Sequence, residues 1–164
     1  MEEHDVIKSA IEAGRSLEGL WETDKAKYES AVFTLIKFFR EYSDGYHHHK
    51  EERVLFPEMG RVDEMLKNGI VRELEEHHVA FREMVKNIEQ AVADGAYSKS
   101  YALLREYGEQ LVDHIAAEDD ELFPMAEALF NDKENENVYF RFCDVDMELG
   151  AERKQNLADS VLQM

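Results

Sequence analysis

The sequence has little of what interrupts helices or builds thiolate sites. It contains 8 Gly and 2 Pro, which favours long helices over a turn-rich β fold. Its single cysteine, Cys143, cannot form an internal disulfide or a thiolate metal cluster. No apolar run approaches the ~20 residues that a membrane span needs. With 164 residues, 44% of them apolar, the chain can form one domain with a buried core.

An excess of positive charge is also missing. The formal net charge is −18, from 19 Lys and Arg against 37 Asp and Glu. Nucleic acids and anionic membrane surfaces attract basic patches, so this balance argues against both as partners. The N-terminus, MEEHD, lacks a basic segment followed by an apolar one and is therefore not a signal peptide. We expect the chain in the cytoplasm.

Apolar residues recur at helical spacing along most of the chain. Four long amphipathic segments with short connections predict an all-α fold, an antiparallel up-down four-helix bundle over about residues 3–130. A polar loop at 131–137 leads to an additional C-terminal helix at about 138–162, so that residues 1–164 form a single domain. The four predicted bundle helices cover residues 3–20, 24–59, 70–94 and 98–130. Pro57 and Pro124 are expected to bend or stop two of them.

One motif occurs twice. The stretch HHHKEERVLFP at 47–57 returns in looser form as HIAAEDDELFP at 114–124. Counted back from each proline, both copies read His-x-x-x-Glu, and residues four apart share one face of a helix. The aligned pairs are His47 with His114 and Glu51 with Glu118. His48 and His49 have no counterpart in the second copy, so they are expected at the surface or beside the ligands.

Histidines and glutamates that face a helical core are costly to bury unless a cation is present. Two carboxylates that face each other would raise the pKa of one of them, and a metal ion removes that penalty. Nitrogen and oxygen ligands without thiolate suit Fe, Mn or Zn. Carboxylates on two separate helices, each one turn from a histidine, can bridge two ions. The pattern therefore predicts a dinuclear centre with at least one open coordination position.

These motifs closely resemble those of the hemerythrin-like (HHE cation-binding) family. The resemblance covers roughly residues 3–130 and is most specific in the Lys-Glu-Glu-x-x-Leu-Phe-Pro motif at 50–57 and its looser second copy at 117–124. It implies a four-helix bundle that holds two non-haem iron ions with oxo or hydroxo and carboxylate bridges. The residues that carry it are Glu3-His4-x-x-Ile7, His47-x-x-Lys50-Glu51-Glu52-x-x-Leu55-Phe56-Pro57, Glu76-His77-His78 and the segment His114–Pro124.

The resemblance also implies a ligand set. The implied metal ligands are His4, His47, Glu51, His78, His114 and Glu118, with Glu51 and Glu118 as bridges. His77 remains an alternative to His78, and Asp119 an alternative to Glu118. The oxygen-carrying hemerythrins have a second third-helix histidine four residues on, where this chain has Arg82. The chain looks more like members with four histidines and two glutamates, several of which act in iron handling or repair of iron centres.

Two classes of function follow from this comparison. The first is a non-haem di-iron protein that binds O2, NO or peroxide at an open iron position, for oxygen binding, sensing or storage. The alternative is a di-iron oxidoreductase that removes peroxide or NO, or an iron donor for the repair of iron–sulfur centres. Either alternative needs a redox or iron-receiving protein partner. The plainest hypothesis is a helical module with structural zinc or no metal.

Overall fold

The computed structural model describes residues 2–164, which are helical over most of their length and include no strand. The predicted all-α class is thereby confirmed. Three π-helical segments occur: π1 (Phe39–His48), π2 (Glu51–Leu55) and π3 (Glu118–Leu122). The α-helices are α1 (Glu2–Arg15), α2 (Leu20–Thr23), α3 (Lys25–Phe38), α4 (Phe56–Val62), α5 (Glu64–Asn68), α6 (Ile70–Ala93), α7 (Tyr97–Ala117), α8 (Phe123–Leu129), α9 (Asp132–Leu149) and α10 (Ala151–Leu162).

Two of the long helices contain π-helical turns that the sequence did not predict. The backbone stays helical at the junctions from α3 through π1 and π2 to α4, and again from α7 through π3 to α8. The segments π2 and π3 are equivalent, because each begins at the glutamate of its motif and ends directly before Phe-Pro. Such widened turns are common at functional sites.

The π turns also explain how the helices tolerate their prolines. The expectation that Pro57 and Pro124 could stop the helices was wrong, since α4 continues to Val62 and α8 to Leu129. In π2 the N–H of Phe56 donates to the carbonyl of Glu51, five residues back. Pro57 has no N–H to donate, which frees the carbonyl of Arg53. Arg141 of α9 donates to that carbonyl at 3.0 Å.

The helix ends differ from the sequence-based boundaries mainly at the two termini. The first helix ends at Arg15 rather than at residue 20. The predicted loop at 131–137 was wrong, because α9 begins at Asp132. Asn131 caps it: its side chain accepts from the N–H of Glu134, whose carboxylate accepts from the N–H of Asn131. The third predicted helix, 70–94, ends within one residue of α6, and Gly95 follows with a φ of +69° that suits glycine.

The helices pack around one core that α1, α3, α6 and α7 share. The last two helices lie against this core from outside: α10 contacts α1 and α3, and α9 contacts π1 and π2. The two C-terminal helices therefore cover one side of the core. No helix of residues 2–164 combines the length and apolarity required to cross a membrane.

One close approach joins α1 to α7. A Cβ added to Gly108 would lie 2.8 Å from Cγ2 of Ile11, whereas a Cβ added to Gly14 would meet Leu104 at an ordinary 3.4 Å. Both glycines are buried within helices, so they form a matched pair for testing the interface. The close contact requires a glycine only at position 108, because a Cβ there would overlap Ile11.

We expect Gly108→Ala to lower the free energy of unfolding by about 1–2 kcal/mol, because overpacking outweighs the gain in helix propensity. Gly14→Ala is the control and should be neutral or stabilising, since only the propensity gain applies. Chemical denaturation of the metal-free chain measures both. If Gly108→Ala is as stable as Gly14→Ala, the α1–α7 contact is not as close as described.

Candidate metal centre

The six side chains predicted as ligands lie together in the core. They come from α1, π1, π2, α6, α7 and π3, and all are buried. His4, His114 and Glu118 are at most 1% exposed. The helical register of each motif thus points its histidine and its glutamate in one direction, as the spacing predicts.

The four histidines form two pairs. The Nε2 atoms of His4 and His47 are 3.0 Å apart, and those of His78 and His114 are 3.1 Å apart. Two nitrogens bound at right angles to one ion at ~2.1 Å would themselves be ~3.0 Å apart. Each pair therefore has the spacing of two neighbouring ligands on one metal ion.

The two glutamates lie between these pairs. In Glu118, Oε1 is 2.8 Å from Nε2 of His114, and Oε2 is 3.2 Å from Nε2 of His4. In Glu51, Oε1 is 3.8 Å from Nε2 of His47, and Oε2 is 3.5 Å from Nε2 of His78. Each carboxylate thus offers one oxygen to each histidine pair, which is the arrangement a bridge between two ions requires.

Carboxylates outside the cluster fix the outer nitrogens of three histidines. Nδ1 of His4 donates to Asp119 at 2.9 Å, Nδ1 of His47 to Glu3 at 3.0 Å, and Nδ1 of His78 to Glu52 at 2.8 Å. For His114, the facing group is His77, with 3.3 Å between the two Nδ1 atoms. These outer bonds place the ring protons on Nδ1 and turn the Nε2 lone pairs inward.

Asp119 and His77, the two alternatives that the sequence left open, therefore face the outer sides of the cluster. Asp119 bonds the outer nitrogen of His4, and His77 lies against the outer nitrogen of His114. His78 and Glu118 instead have atoms within reach of the other ligands. The geometry therefore favours His78 over His77, and Glu118 over Asp119, as the residue that faces the centre of the cluster.

The inward arrangement is electrostatically unfavourable unless a cation is present. With the ring protons on Nδ1, no oxygen of Glu51 or Glu118 accepts a hydrogen bond, although all four oxygens are buried. The Nε2 lone pairs also face each other and these oxygens across about 3 Å. Unsatisfied buried acceptors cost free energy, so this surplus of acceptors is a physical reason to expect a positive ion.

The pKa values of the clustered side chains also indicate that the site favours a positive charge. Burial and the facing charge of Glu118 raise the pKa of Glu51. Burial alone would lower the pKa of His47, but Glu51, Glu118 and Glu3 raise it to about 10. Although burial opposes it, contact with the His114, His4 and His47 rings holds the pKa of Glu118 well below its usual range. The cluster therefore favours positive charge at its centre.

Three groups of the described side chains have the donor set and spacing to hold a metal ion, and one of them consists of His48, His78 and His114. The other two contain only predicted ligands: His4, His47 and Glu118 in one, and Glu51, His78, His114 and Glu118 in the other. These two groups share Glu118, and the carboxylate of Glu51 lies near a histidine of each group, His47 and His78. Nitrogen and carboxylate donors fit iron, manganese or zinc.

His48 lies beside the centre rather than at the surface. It is buried, and its ring stacks on that of His78 with centroids 3.9 Å apart and an angle of 12° between the planes. Both of its nitrogens lack a hydrogen bond, and burial lowers its pKa to about 3. It also lies within ligand distance of His78 and His114. Stacked rings direct their in-plane lone pairs along parallel lines, however, so His48 is poorly oriented to share an ion with His78.

Comparison with known proteins agrees with this geometry. The model of the hemerythrin HHE cation-binding domain matches residues 1–126. The chain belongs to the hemerythrin HHE cation-binding family. The resemblance seen in the sequence is thus confirmed. No curated protein and no solved structure matches this hemerythrin-family chain.

Arg82 holds the outer side of this hemerythrin centre. Its guanidinium donates to Glu52 at 2.7 Å and to Asp44 at 2.8 Å. Glu52 in turn accepts from His78. At the position where oxygen carriers have a further histidine, this chain therefore has an arginine that positions the partner of His78.

A second network ties the centre to α9 and α10, which lie outside the matched residues. Lys50 donates to the carboxylate of Glu3 at 2.6 Å, and Lys154 of α10 reaches it at 3.3 Å. The hydroxyl of Tyr46 lies 2.7 Å from Glu3 and 2.6 Å from Asp146 of α9. Burial raises the pKa of Glu3, but the bonds from His47 and Lys50 outweigh it and hold the pKa below its usual range. Glu3 is therefore an ionised carboxylate that orients His47.

Sequence reasoning missed Glu3 and Glu52 as partners of the histidines. A signal was present, because each lies next to a residue of the predicted ligand set: Glu3 precedes His4 and Glu52 follows Glu51. Asp119 follows Glu118 at the same offset as Glu52 in the first motif copy. The acidic residue after each bridging position is thus part of the repeat.

We expect Glu3→Ala to weaken metal binding about 10–100-fold, because loss of a carboxylate partner frees the ring of its histidine ligand. Glu12→Ala is the control, since Glu12 is on the same helix and exposed. Metal titration in competition with a chelator measures the affinity of both variants. If Glu3→Ala binds metal as tightly as Glu12→Ala, Glu3 does not position His47.

Proposed function

We propose that this chain is a non-haem di-iron protein that binds O2 or another small molecule, such as NO or peroxide, at an open iron position. The observation that carries the proposal is the division of two buried carboxylates between two histidine pairs. Bound iron would supply a redox-active ion with room for a small ligand. The expected outcome of that binding is capture, sensing or storage.

The proposed ligand set follows from the distances given above. His4 and His47 would hold one ion, and His78 and His114 the other. Glu51 and Glu118 would bridge the two ions. Each ion would then have four protein ligands, which leaves positions open in the octahedral coordination that iron accepts.

The scaffold that we propose is an antiparallel up-down four-helix bundle with an additional C-terminal helical pair, within a single domain of residues 1–164. The four bundle members are α1, residues 25–62, α6 and residues 97–129. The contacts of α10 with α1 and α3, and of α9 with π1 and π2, support treating the C-terminal pair as part of the same domain.

The aromatic rings around the proposed ligands support binding of a small apolar molecule. Phe123 stacks on His4 with centroids 5.7 Å apart, Phe56 stacks on His78 at 5.7 Å, and Phe81 meets His114 edge-on at 5.1 Å. These rings cover three of the four imidazoles with apolar surface. Water exclusion slows loss of a bound small molecule and strengthens electrostatic interactions at the site.

The second candidate is an enzyme of oxidative or nitrosative stress, or an iron donor for the repair of iron–sulfur centres. One observation favours it: Arg82 stands where the oxygen carriers have a further histidine and is bonded to Glu52 and Asp44. The centre thus lacks a ligand of the reversible carriers. A redox or iron-receiving protein would then be the partner.

We expect Glu51→Ala and Glu118→Ala to lose dinuclear binding, because each removes a bridge. Asp120→Ala is the control, since Asp120 is an exposed acid within π3. Metal analysis should give two iron ions per chain for the control. Added metal should also raise the unfolding temperature of the control but not of the bridge variants. The bridge assignment is wrong if both variants keep two ions per chain.

The optical spectrum of the iron-loaded chain separates the two candidates. The reduced protein is prepared without oxygen and then exposed to O2. Binding predicts a visible band that disappears again under vacuum, because the ligand leaves unchanged. Irreversible oxidation, or release of O2 from added peroxide, would favour the enzyme. A spectrum that does not respond to either reagent would contradict both candidates.

A further inference from the structure

A cavity of about 730 Å³ opens beside the candidate metal centre. Its inner wall includes His4, His47 and Glu51. Its outer wall comes from α8, α9 and α10, most of which lies beyond the residues that match the hemerythrin domain. The C-terminal helices thus enclose a space that borders one half of the centre.

The other half of the centre is closed by packed rings. His48 and Phe56 stack on His78, and Phe81 lies against His114. Neither His78 nor His114 lines the cavity. A molecule in the cavity would therefore meet the His4–His47 half alone.

The walls of the cavity are mainly apolar. More than half of the described side chains that line it are aliphatic or aromatic, among them Val6, Leu55, Phe123, Phe130, Val138 and Phe142. Such a lining, with a few polar groups, is typical of sites for small organic molecules. A cavity of this kind is therefore a candidate binding site.

The two ammonium groups in the cavity already have partners. Lys50 bonds Glu3 at 2.6 Å and lies 3.3 Å from Asp146, and Lys154 lies 3.3 Å from Glu3 and 2.6 Å from the hydroxyl of Tyr46. Two ammonium groups thus face two carboxylates, so neither is available for an anionic ligand. This pairing disfavours an anionic occupant, and the mainly apolar walls favour an uncharged one.

The size of the cavity exceeds the need of a diatomic ligand. A water molecule occupies about 30 Å³ in the liquid, and O2 or NO is of comparable size. Sites for drug-sized organic molecules have volumes of about 300–1,000 Å³. The cavity falls within that range.

We propose that this cavity binds an uncharged, mainly apolar organic molecule against the His4–His47 half of the centre. The proposal deepens the proposed function, since it adds an organic ligand next to the open iron position. Only the presence of a neighbouring metal ion rests on the proposed function. The cavity itself is formed by side chains of this protein and does not depend on the metal. The C-terminal helices then serve to build a ligand site on the hemerythrin domain.

The test uses the full metal-free chain and the uncharged fluorescent probe N-phenylnaphthylamine. Saturable binding of one probe per chain is expected. Two variants reduce the cavity: Ala158→Phe fills it from a buried position, and Gln155→Trp does so from an exposed position on the same helix. Both should weaken binding by about tenfold or more, as a filled pocket loses its apolar contacts. Ala128→Trp is the control, since Ala128 is exposed and does not line the cavity.

Displacement of the probe tests the charge assignment. Decanol should displace it at lower concentration than decanoate, because burying a carboxylate beside paired lysines carries a desolvation cost. Stronger displacement by decanoate would overturn the uncharged assignment. Absent or non-saturable probe binding would overturn the site itself, as would binding that is unchanged in the folded Gln155→Trp variant.

The outcomes for this cavity and for the metal centre are separable. Probe binding to metal-free protein with no iron uptake would support the cavity and remove the proposed function. Two iron ions per chain with no probe binding would leave the metal centre and remove the cavity proposal.

Discussion

Two carboxylates buried without a hydrogen bond dominate the energetics of this structure. Glu51 and Glu118 lie at the centre of the core, and their oxygens face the lone pairs of four imidazoles. Replacing such groups with apolar ones would remove a large desolvation cost. The arrangement is stable when cations lie between the donors, and for this reason the fold is best understood as a frame built around a metal centre.

The frame positions these donors through two devices. The π turns π2 and π3 start at the two glutamates and let each helix pass its proline without ending. The outer bonds of the histidines then fix their rings, with Glu3, Glu52 and Asp119 as acceptors. The C-terminal helices reinforce one side, since Lys154 and Asp146 hold Glu3 and Tyr46. The π turns within the bundle helices and the contacts from α9 and α10 thus both help to position the side chains of the candidate metal centre.

The sequence predicted the helices and the inward-facing residues because both depend on periodicity. The register of the two prolines selected His47 among three consecutive histidines, and His47 is the one within reach of Glu51 and Glu118. Periodicity could not separate His77 from His78 or Glu118 from Asp119, because neighbours on a helix differ by only a fraction of a turn. In the structure, His77 faces the outer nitrogen of His114 and Asp119 bonds the outer nitrogen of His4, which favours His78 and Glu118 as the proposed ligands.

Other features of the structure could not be predicted from the hydrophobic periodicity of the sequence. The helical start at Asp132 depends on the Asn131–Glu134 capping box within a stretch that is polar throughout. The π turns π2 and π3 depend on backbone hydrogen bonds shifted by one residue, such as those from Phe56 to Glu51 and from Phe123 to Glu118. The cavity depends on how α9 and α10 pack against distant segments. Each of these needs tertiary contacts that no local pattern specifies.

Anomalous diffraction from a crystal of the iron-loaded chain tests the central claim most directly. The account predicts two iron peaks per chain, about 3.5–4 Å apart as in other two-metal sites. One should lie beside His4 and His47 and the other beside His78 and His114, with the carboxylates of Glu51 and Glu118 between them. A single peak, or iron bound away from these two carboxylates, would contradict it.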